Sequence, residues 1–140
     1  MPPLCCLCGQ VEISLEERPD FIHECNCTFC AKTGAHWGYF NPAQVTVRGE
    51  SHGYSRADKA DPNARVQFCA TCGSTTHFVL TDSAVAKFGN SVMGVNMLLA
   101  DPLDLAGIEL RYPDGKNWSG DGSFAYVSDP RVIGARAASD

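Results

Sequence analysis

Apolar and polar side chains alternate in short stretches of the chain, and this alternation predicts β-strands that bury one face. In the first stretch Val11, Ile13 and Leu15 are apolar, and polar residues stand between them. Further stretches rich in β-branched and aromatic residues predict strands at residues 21–25, 36–40, 44–48, 74–80 and 91–99. The pattern therefore predicts a mainly β protein.

The segments between these strands are predicted as loops, apart from one helical turn. Residues 25–34 are predicted to form a tight loop, and residues 55–64 are polar and predict an exposed one. The helical turn is predicted at residues 101–107, because Asp101 can cap it and Pro102 can occupy its first position. His52 and Gly53 are interpreted as a turn. From Pro113 onward turn-forming residues dominate, and residues 133–140 are predicted to be a flexible tail.

Length and charge restrict the class of protein. A chain of 140 residues suits one domain, which we assign to residues 1–132. The net charge of -5 and the pI near 5.2 argue against binding to nucleic acid or to an anionic membrane surface. No apolar run reaches the length of a membrane span, and no secretory signal is visible. We therefore expect a cytoplasmic protein without a nucleic-acid or membrane partner.

The eight cysteines carry the chemistry that the sequence predicts. They form three groups with Cys5 left over, and the groups are Cys6 and Cys8, then Cys25, Cys27 and Cys30, and finally Cys69 and Cys72. The two pairs together supply four thiolates, which is enough to close a tetrahedral zinc site. The group of three leaves a fourth position for water or substrate, as catalytic zinc sites do. A disulfide scaffold is disfavoured, since cysteines separated by one residue are poor disulfide partners.

Several alternatives stay open at this stage. Cys69 and Cys72 alone can form a redox pair, and reversible disulfides would make the protein a redox switch. The group of three can instead be a second structural site that His23 or His36 closes. Spacing alone also permits an iron–sulfur cluster. Cys5 is interpreted as a spare thiol. The other interpretation is that Cys5 serves as an alternative metal ligand.

The order of the cysteine motifs resembles the glutathione-dependent formaldehyde-activating enzyme family, which includes centromere protein V. The motifs are Cys6-Leu-Cys8-Gly, Cys25-Asn-Cys27-Thr-Phe-Cys30 and Cys69-Ala-Thr-Cys72-Gly-Ser. The resemblance extends from about Leu4 to Asn96 and implies a β-tent fold, zinc-ribbon-like, with two zinc ions. It implies a structural zinc bound by Cys6, Cys8, Cys69 and Cys72, and a catalytic zinc bound by Cys25, Cys27 and Cys30.

The resemblance also implies an activity of the carbon–sulfur lyase type. In that reaction the thiol of glutathione adds reversibly to an aldehyde such as formaldehyde and gives an S-hydroxyalkyl adduct. The implied partners are therefore a small-molecule thiol and an aldehyde. The alternative function is a non-catalytic, zinc-stabilised binding or scaffold domain. The chain departs from the family where Asn26 and Thr28 replace a usual histidine and serine. If the family's histidine transfers a proton, Asn26 cannot perform that function.

Other residues near the group of three are candidates for roles in the same reaction. His36 lies close enough in sequence to relay a proton during adduct formation. Lys32 is the candidate that binds a carboxylate of glutathione, because it is the cation nearest to the cysteines. Arg56 and Arg65 are further cations that could bind these carboxylates.

Overall fold

The computed structural model describes residues 1–134, and in these residues it contains eleven strands and two short α-helices. The strands are β1 (Leu4–Cys5), β2 (Glu12–Leu15), β3 (Phe21–His23), β4 (Trp37–Phe40), β5 (Val45–Arg48), β6 (Ser51–Ser55), β7 (Ala64–Cys69), β8 (Thr75–Leu80), β9 (Met93–Asn96), β10 (Glu109–Pro113) and β11 (Tyr126–Val132). The helices are α1 (Thr28–Thr33) and α2 (Asp82–Phe88), and 3₁₀ turns cover Pro42–Gln44, Met97–Leu99, Pro102–Leu105 and Gly115–Asn117.

The strands form two sheets. A three-stranded sheet has the order β1-β2-β5, and an eight-stranded sheet has the order β11-β10-β3-β4-β9-β8-β7-β6. Strands β10 and β3 pair in parallel, whereas the neighbouring pairs on either side of them are antiparallel. The predicted mainly β, single-domain fold is confirmed. None of the helices within residues 1–134 has the length and hydropathy that a membrane span requires.

The strands predicted from alternation are present, but several other elements were not predicted. Residues 25–34 were predicted as a loop but contain helix α1. The helix begins after Cys27 and ends before Gly34, which adopts the left-handed conformation. His52 and Gly53 lie in β6, which pairs with β7, so the turn assigned to them is wrong. Strand β10 was not predicted, and the turn-rich region after Pro113 contributes β11, where long-range pairing outweighs weak local propensity.

The two faces of β4 separate the core into two clusters, because successive side chains of a strand point to opposite faces. Phe40 belongs to the larger cluster, in which Ile13 and Leu4 of the small sheet pack on β9 and β3. Trp37 belongs to the smaller cluster, together with Phe78, and helix α1 packs there. Trp37 and Phe40 are therefore both buried in the core, one on each face of β4.

The end of the described chain is attached to the fold. The backbone of Ile133 accepts a hydrogen bond from Gly107 N–H at 2.9 Å and donates one to Ile108 at 3.0 Å. The side chain of Ile133 also packs against the larger core cluster. The predicted flexible tail covers residues 133–140, of which residues 135–140 lie outside the described residues.

A buried histidine makes stability depend on pH. His77 is 5% exposed in β8, and its Nδ1 lies 2.9 Å from Thr76 Oγ1. Burial lowers the pKa of His77 from its usual value of 6.5 to about 4. The folded state binds this proton less readily than the unfolded chain does. The contribution of His77 to the free energy of unfolding is therefore fully present above pH 6.5 and falls as the pH decreases towards 4, by about 3 kcal/mol.

We expect His77→Gln to remove this component of the pH dependence. Chemical denaturation of both proteins at pH values from 7 to 4 gives the difference in unfolding free energy. Both proteins contain the same eight cysteines, so proton competition with a bound metal cancels in the difference. Parallel pH curves for the two proteins would contradict the prediction.

Candidate metal centres

The two outer cysteine pairs meet in one group. The sulfur atoms of this group lie within 4.8 Å of one another, and they belong to Cys6, Cys8, Cys69 and Cys72. Cys8 Sγ is 3.6 Å from both Cys6 Sγ and Cys69 Sγ. Sulfurs around a tetrahedral ion with metal–sulfur bonds of 2.3 Å lie roughly 3.8 Å apart. The four thiols therefore have the spacing of a closed metal site, which we call the four-cysteine group.

Two similar turns present these sulfurs. Gly9 N–H donates to Cys6 O at 3.0 Å, and Gly73 N–H donates to Cys69 O at the same distance. Both glycines have positive φ values, 81° and 77°, which few other residues adopt. Each turn folds the chain back so that backbone N–H groups face sulfur. Val11 N–H donates to Cys6 Sγ at 3.2 Å, which stabilises negative charge on that sulfur.

Ser74 connects the two turns. Its hydroxyl accepts a hydrogen bond from Leu7 N–H at 3.1 Å and lies 3.1 Å from Cys72 Sγ. The Ser74 hydroxyl and the Ser74 backbone N–H are the main causes that lower the pKa of the Cys72 thiol to about 5. Cys5 is exposed and does not belong to the group, so the interpretation of Cys5 as a spare thiol agrees with its position.

The three central cysteines form a second group, the three-cysteine group, at the start of helix α1. Cys27 is the N-cap residue, and its sulfur accepts a hydrogen bond from Cys30 N–H at 3.3 Å. The N-cap position and the third helical position face each other, so Cys27 Sγ and Cys30 Sγ lie 2.9 Å apart. Cys25 joins them from the end of β3, and Cys27 N–H donates to its sulfur at 3.5 Å.

Negative charge in the three-cysteine group is concentrated on Cys25. Hydrogen bonds from the Cys27 and Cys30 thiols lower the pKa of Cys25 to about 2, and the backbone N–H groups of Cys27 and Gly115 add to this effect. The interactions with Cys25 and Cys27 raise the pKa of Cys30. Hydrogen bonding within the group thus favours the thiolate form at Cys25, and a bound cation displaces the protons that the other thiols carry.

Neither candidate histidine completes the three-cysteine group. Among residues 1–134, no histidine, carboxylate or further cysteine lies within the 4.8 Å limit that defines this group. His23 is buried, and its Nδ1 lies 3.1 Å from the hydroxyl of Tyr39. His36 is half-buried, and its Nε2 lies 3.4 Å from Glu24 Oε1. The interpretation of this group as a second site closed by histidine is therefore not supported by the arrangement.

Asn26 attaches a distant turn to the three-cysteine group. Its Nδ2 donates to Asp114 Oδ1 at 2.8 Å, and its Oδ1 accepts from Lys116 N–H at 2.9 Å. A Cβ built on Gly115 would overlap Cys25 Sγ and would lie 3.1 Å from Cys27 Cβ. We call residues Asp114–Asn117 the strap. The strap therefore lies directly against the cysteines, a contact that sequence analysis missed because the partners are 88 residues apart.

Two clefts lie beside helix α1. The first has a volume of about 520 Å³, and Cys25, Cys30, Glu24, His36 and Tyr112 are among the residues that line it. His36 and two cysteines of the three-cysteine group therefore line the same cleft.

The second cleft has a volume of about 410 Å³, and it is lined mainly by apolar surface with Lys32 and Arg56 at its wall. Arg56 forms a bidentate ion pair with Asp58, at 2.7 and 2.6 Å. This pair raises the pKa of Arg56, and negative charge on Cys27 and Cys30 adds to the effect. Arg65 faces a different part of the surface, where it donates to Gly53 O at 3.0 Å. Arg56 is thus neutralised by Asp58, whereas no ion pair among the described residues neutralises Lys32. Lys32 is therefore the candidate cation of this cleft.

The donor atoms of both groups suit a soft metal ion. All seven donors are sulfur, and backbone N–H groups donate to some of them, including Cys6 and Cys25. Thiolate sets of this kind bind zinc or iron–sulfur clusters. The four-cysteine group is a complete tetrahedral set, whereas the three-cysteine group leaves one position for another ligand.

Comparisons with known proteins agree with this arrangement. The model of the family described as "Glutathione-dependent formaldehyde-activating enzyme" matches residues 3–99, which include both cysteine groups but not the strap. A crystal structure of a Rhodobacter sphaeroides protein is similar, with 27% identity and a TM-score of 0.56. The similarity covers 76% of this chain and 97% of that one. The comparison with curated proteins gave no match.

We expect each group to bind one metal ion, so that the purified chain contains two. Cys69→Ser removes one sulfur of the four-cysteine group, and the metal content should fall to one ion with a marked decrease in thermal stability. Cys30→Ser should also leave one ion, with a smaller loss of stability, because the group of three joins residues that are already close in sequence. Elemental analysis and thermal unfolding measure both effects.

Cys5→Ser is the matched control for both substitutions, because Cys5 lies outside the two groups. This variant should keep two ions and the thermal stability of the wild type. A loss of metal in Cys5→Ser, or two ions in Cys69→Ser, would contradict the assignment of donors.

Proposed function

Because the chain belongs to the glutathione-dependent formaldehyde-activating enzyme family, we propose that it catalyses the reversible addition of a small thiol to an aldehyde. The thiol S–H bond and the carbonyl π bond break, a C–S bond forms, and the proton moves to the former carbonyl oxygen. The product is an S-hydroxyalkyl adduct, and no electrons are gained or lost overall. The substrates that we propose are glutathione, or a similar thiol, and formaldehyde.

The observation that supports this reaction is the difference between the two cysteine groups. One group is a complete set of four sulfurs, and the other has three sulfurs beside a cleft of about 520 Å³. We propose a structural zinc ion for the first and a catalytic zinc ion for the second. A zinc ion with one free position lowers the pKa of an incoming thiol, so that it becomes a nucleophile at neutral pH.

We propose that residues of this cleft meet the other requirements of the reaction. His36 Nε2 lies 3.4 Å from Glu24 Oε1, and this carboxylate can hold the imidazole in one orientation. We propose that His36 carries the proton between the thiol and the former carbonyl oxygen. The distance between His36 and Glu24 can shorten when substrate enters, as catalytic hydrogen bonds often do.

Lys32 lies in the last turn of α1 and lines the other cleft, beside apolar side chains such as Phe29 and Val66. A carboxylate of glutathione would form an ion pair with the ammonium group of Lys32. The apolar wall would contact the aliphatic part of the same molecule. We propose that this cleft holds the part of the thiol substrate that does not react.

The activity is tested by following adduct formation from ¹³C-formaldehyde and glutathione by NMR exchange spectroscopy. We expect the exchange rate to rise in proportion to wild-type protein. Cys30→Ser should abolish the increase because one metal ligand is lost, and Cys5→Ser should preserve it. A wild-type protein with two metal ions and no effect on the rate would instead favour the zinc-stabilised binding or scaffold domain.

The same assay on His36→Ala tests the proton carrier. Loss of general acid–base catalysis typically lowers a rate by about 100-fold or more. Metal content should be unchanged, because His36 does not belong to the three-cysteine group. An unchanged rate would remove His36 from the mechanism.

Lys32→Ala tests how the thiol substrate is held. We expect KM for glutathione to rise about two- to fivefold, since an exposed charge pair contributes up to about 1 kcal/mol. KM for the uncharged thiol 2-mercaptoethanol should stay the same. Lys87→Ala is the matched control, because Lys87 also lies in the last turn of a helix but pairs with Asp61. Equal effects of Lys32→Ala on both thiols would contradict the assigned role.

A further inference from the structure

Asn26 occupies the middle of the Cys25-Asn26-Cys27 segment, and both functional groups of its side chain bind the strap. The amide nitrogen donates to Asp114 Oδ1 at 2.8 Å, and the amide oxygen accepts from Lys116 N–H at 2.9 Å. These two bonds lie on either side of Gly115 in the sequence. The side chain of Asn26 thus holds Gly115 in place. Gly115 in turn lies against Cys25 and Cys27, the two candidate ligands on either side of Asn26.

Gly115 is the point at which the strap touches the three-cysteine group. It is not among the glycines with positive φ, so its conformation does not require glycine. A Cβ at this position would overlap Cys25 Sγ and crowd Cys27. The absence of a side chain is therefore explained by the close approach of the strap to sulfur.

The bonds of Asp114 make the strap a defined structure. Its Oδ1 accepts from Asn26, and its Oδ2 accepts from Asn117 Nδ2 at 2.9 Å. The backbone N–H of Asp114 donates to Ala125 O at 2.8 Å. Both carboxylate oxygens are therefore used, one towards the cysteines and one within the strap. Removal of Asn26 would leave the strap intact but would detach it from the cysteine segment.

We propose that Asn26 is a positioning residue that holds the strap against Cys25 and thereby fixes the three-cysteine group in its metal-binding arrangement. This inference rests on the proposed function, because it concerns the same catalytic centre. Residues that orient metal ligands from outside the first coordination sphere typically change metal affinity by about 10–100-fold. Asn26 has no role in proton transfer in this proposal.

The first test compares Asn26→Ala with the wild type by competition for zinc with a chromophoric chelator. We expect the more weakly held ion to bind about 10–100-fold less tightly in Asn26→Ala, and the affinity of the other ion to be unchanged. With cobalt in place of zinc, the sulfur-to-cobalt charge-transfer band of the three-cysteine group should shift. Asn41→Ala is the matched control, since Asn41 accepts a similar bond from Ala43 N–H at 2.9 Å outside the strap.

The second test exchanges the two partners. Asn26→Asp places a carboxylate against Asp114, and we expect zinc affinity at least as low as in Asn26→Ala. Asp114→Asn removes one of the two acceptors and should also weaken binding. The double variant Asn26→Asp with Asp114→Asn restores the hydrogen bond between the two positions with its direction reversed, because the new amide at position 114 can donate to the new carboxylate at position 26. Lys116 N–H and Asn117 Nδ2 keep an acceptor, and the net charge is unchanged. Its zinc affinity should return to within about threefold of the wild type, a recovery that a fold defect would not show.

The result that overturns the inference is a zinc affinity in Asn26→Ala equal to that of the wild type. Weakening in both single variants without recovery in the double variant, or a wild-type chain that binds one ion only, also overturns it. These results differ from a failure of the proposed function. That failure appears as a wild-type protein with two ions and no thiol–aldehyde activity, and it leaves the affinity measurements and their interpretation unchanged.

Discussion

The convergence of four sulfur atoms from two distant turns is the constraint on which the rest of the structure depends. Residues 9–68 lie between the two pairs, so an ion in the four-cysteine group closes a long loop. Cys6 and Cys69 are buried and belong to the larger core cluster, which joins the small sheet to the large one. An ion bound by the four-cysteine group would therefore stabilise the same contact as the packing of the two sheets.

The two cysteine groups border different core clusters, and this separation suits different tasks. The four-cysteine group adjoins the larger cluster, whereas Cys30 packs against the smaller one with Phe29 and Trp37. The three-cysteine group lies at the start of a helix of six residues, and the strap supplies one of its contacts. A ligand can therefore change the arrangement at this group without disturbing the contact between the sheets.

Sequence reasoning succeeded where the signal is local. The number and spacing of the cysteines predicted both groups, and alternation predicted β2 and β5. Helix α1 was missed, because cysteine is not a usual N-cap residue, although Cys27 takes that role here. Strands β10 and β11 were missed because their pairing is non-local, with β10 joined in parallel to β3. The contact of Asn26 with Asp114 has no local signature, since only the fold brings the two together.

Strand β11 lies at one end of the eight-stranded sheet, and all of its residues are exposed. An edge of this kind is a template for pairing with another chain. Here the residues 129–131 are Asp, Pro and Arg, and the register with β10 shifts nearby. Proline lacks a backbone donor, and the adjacent charges disfavour a second strand. The sheet thus ends in a protected edge, which lowers the risk of edge-to-edge aggregation as protein concentration rises.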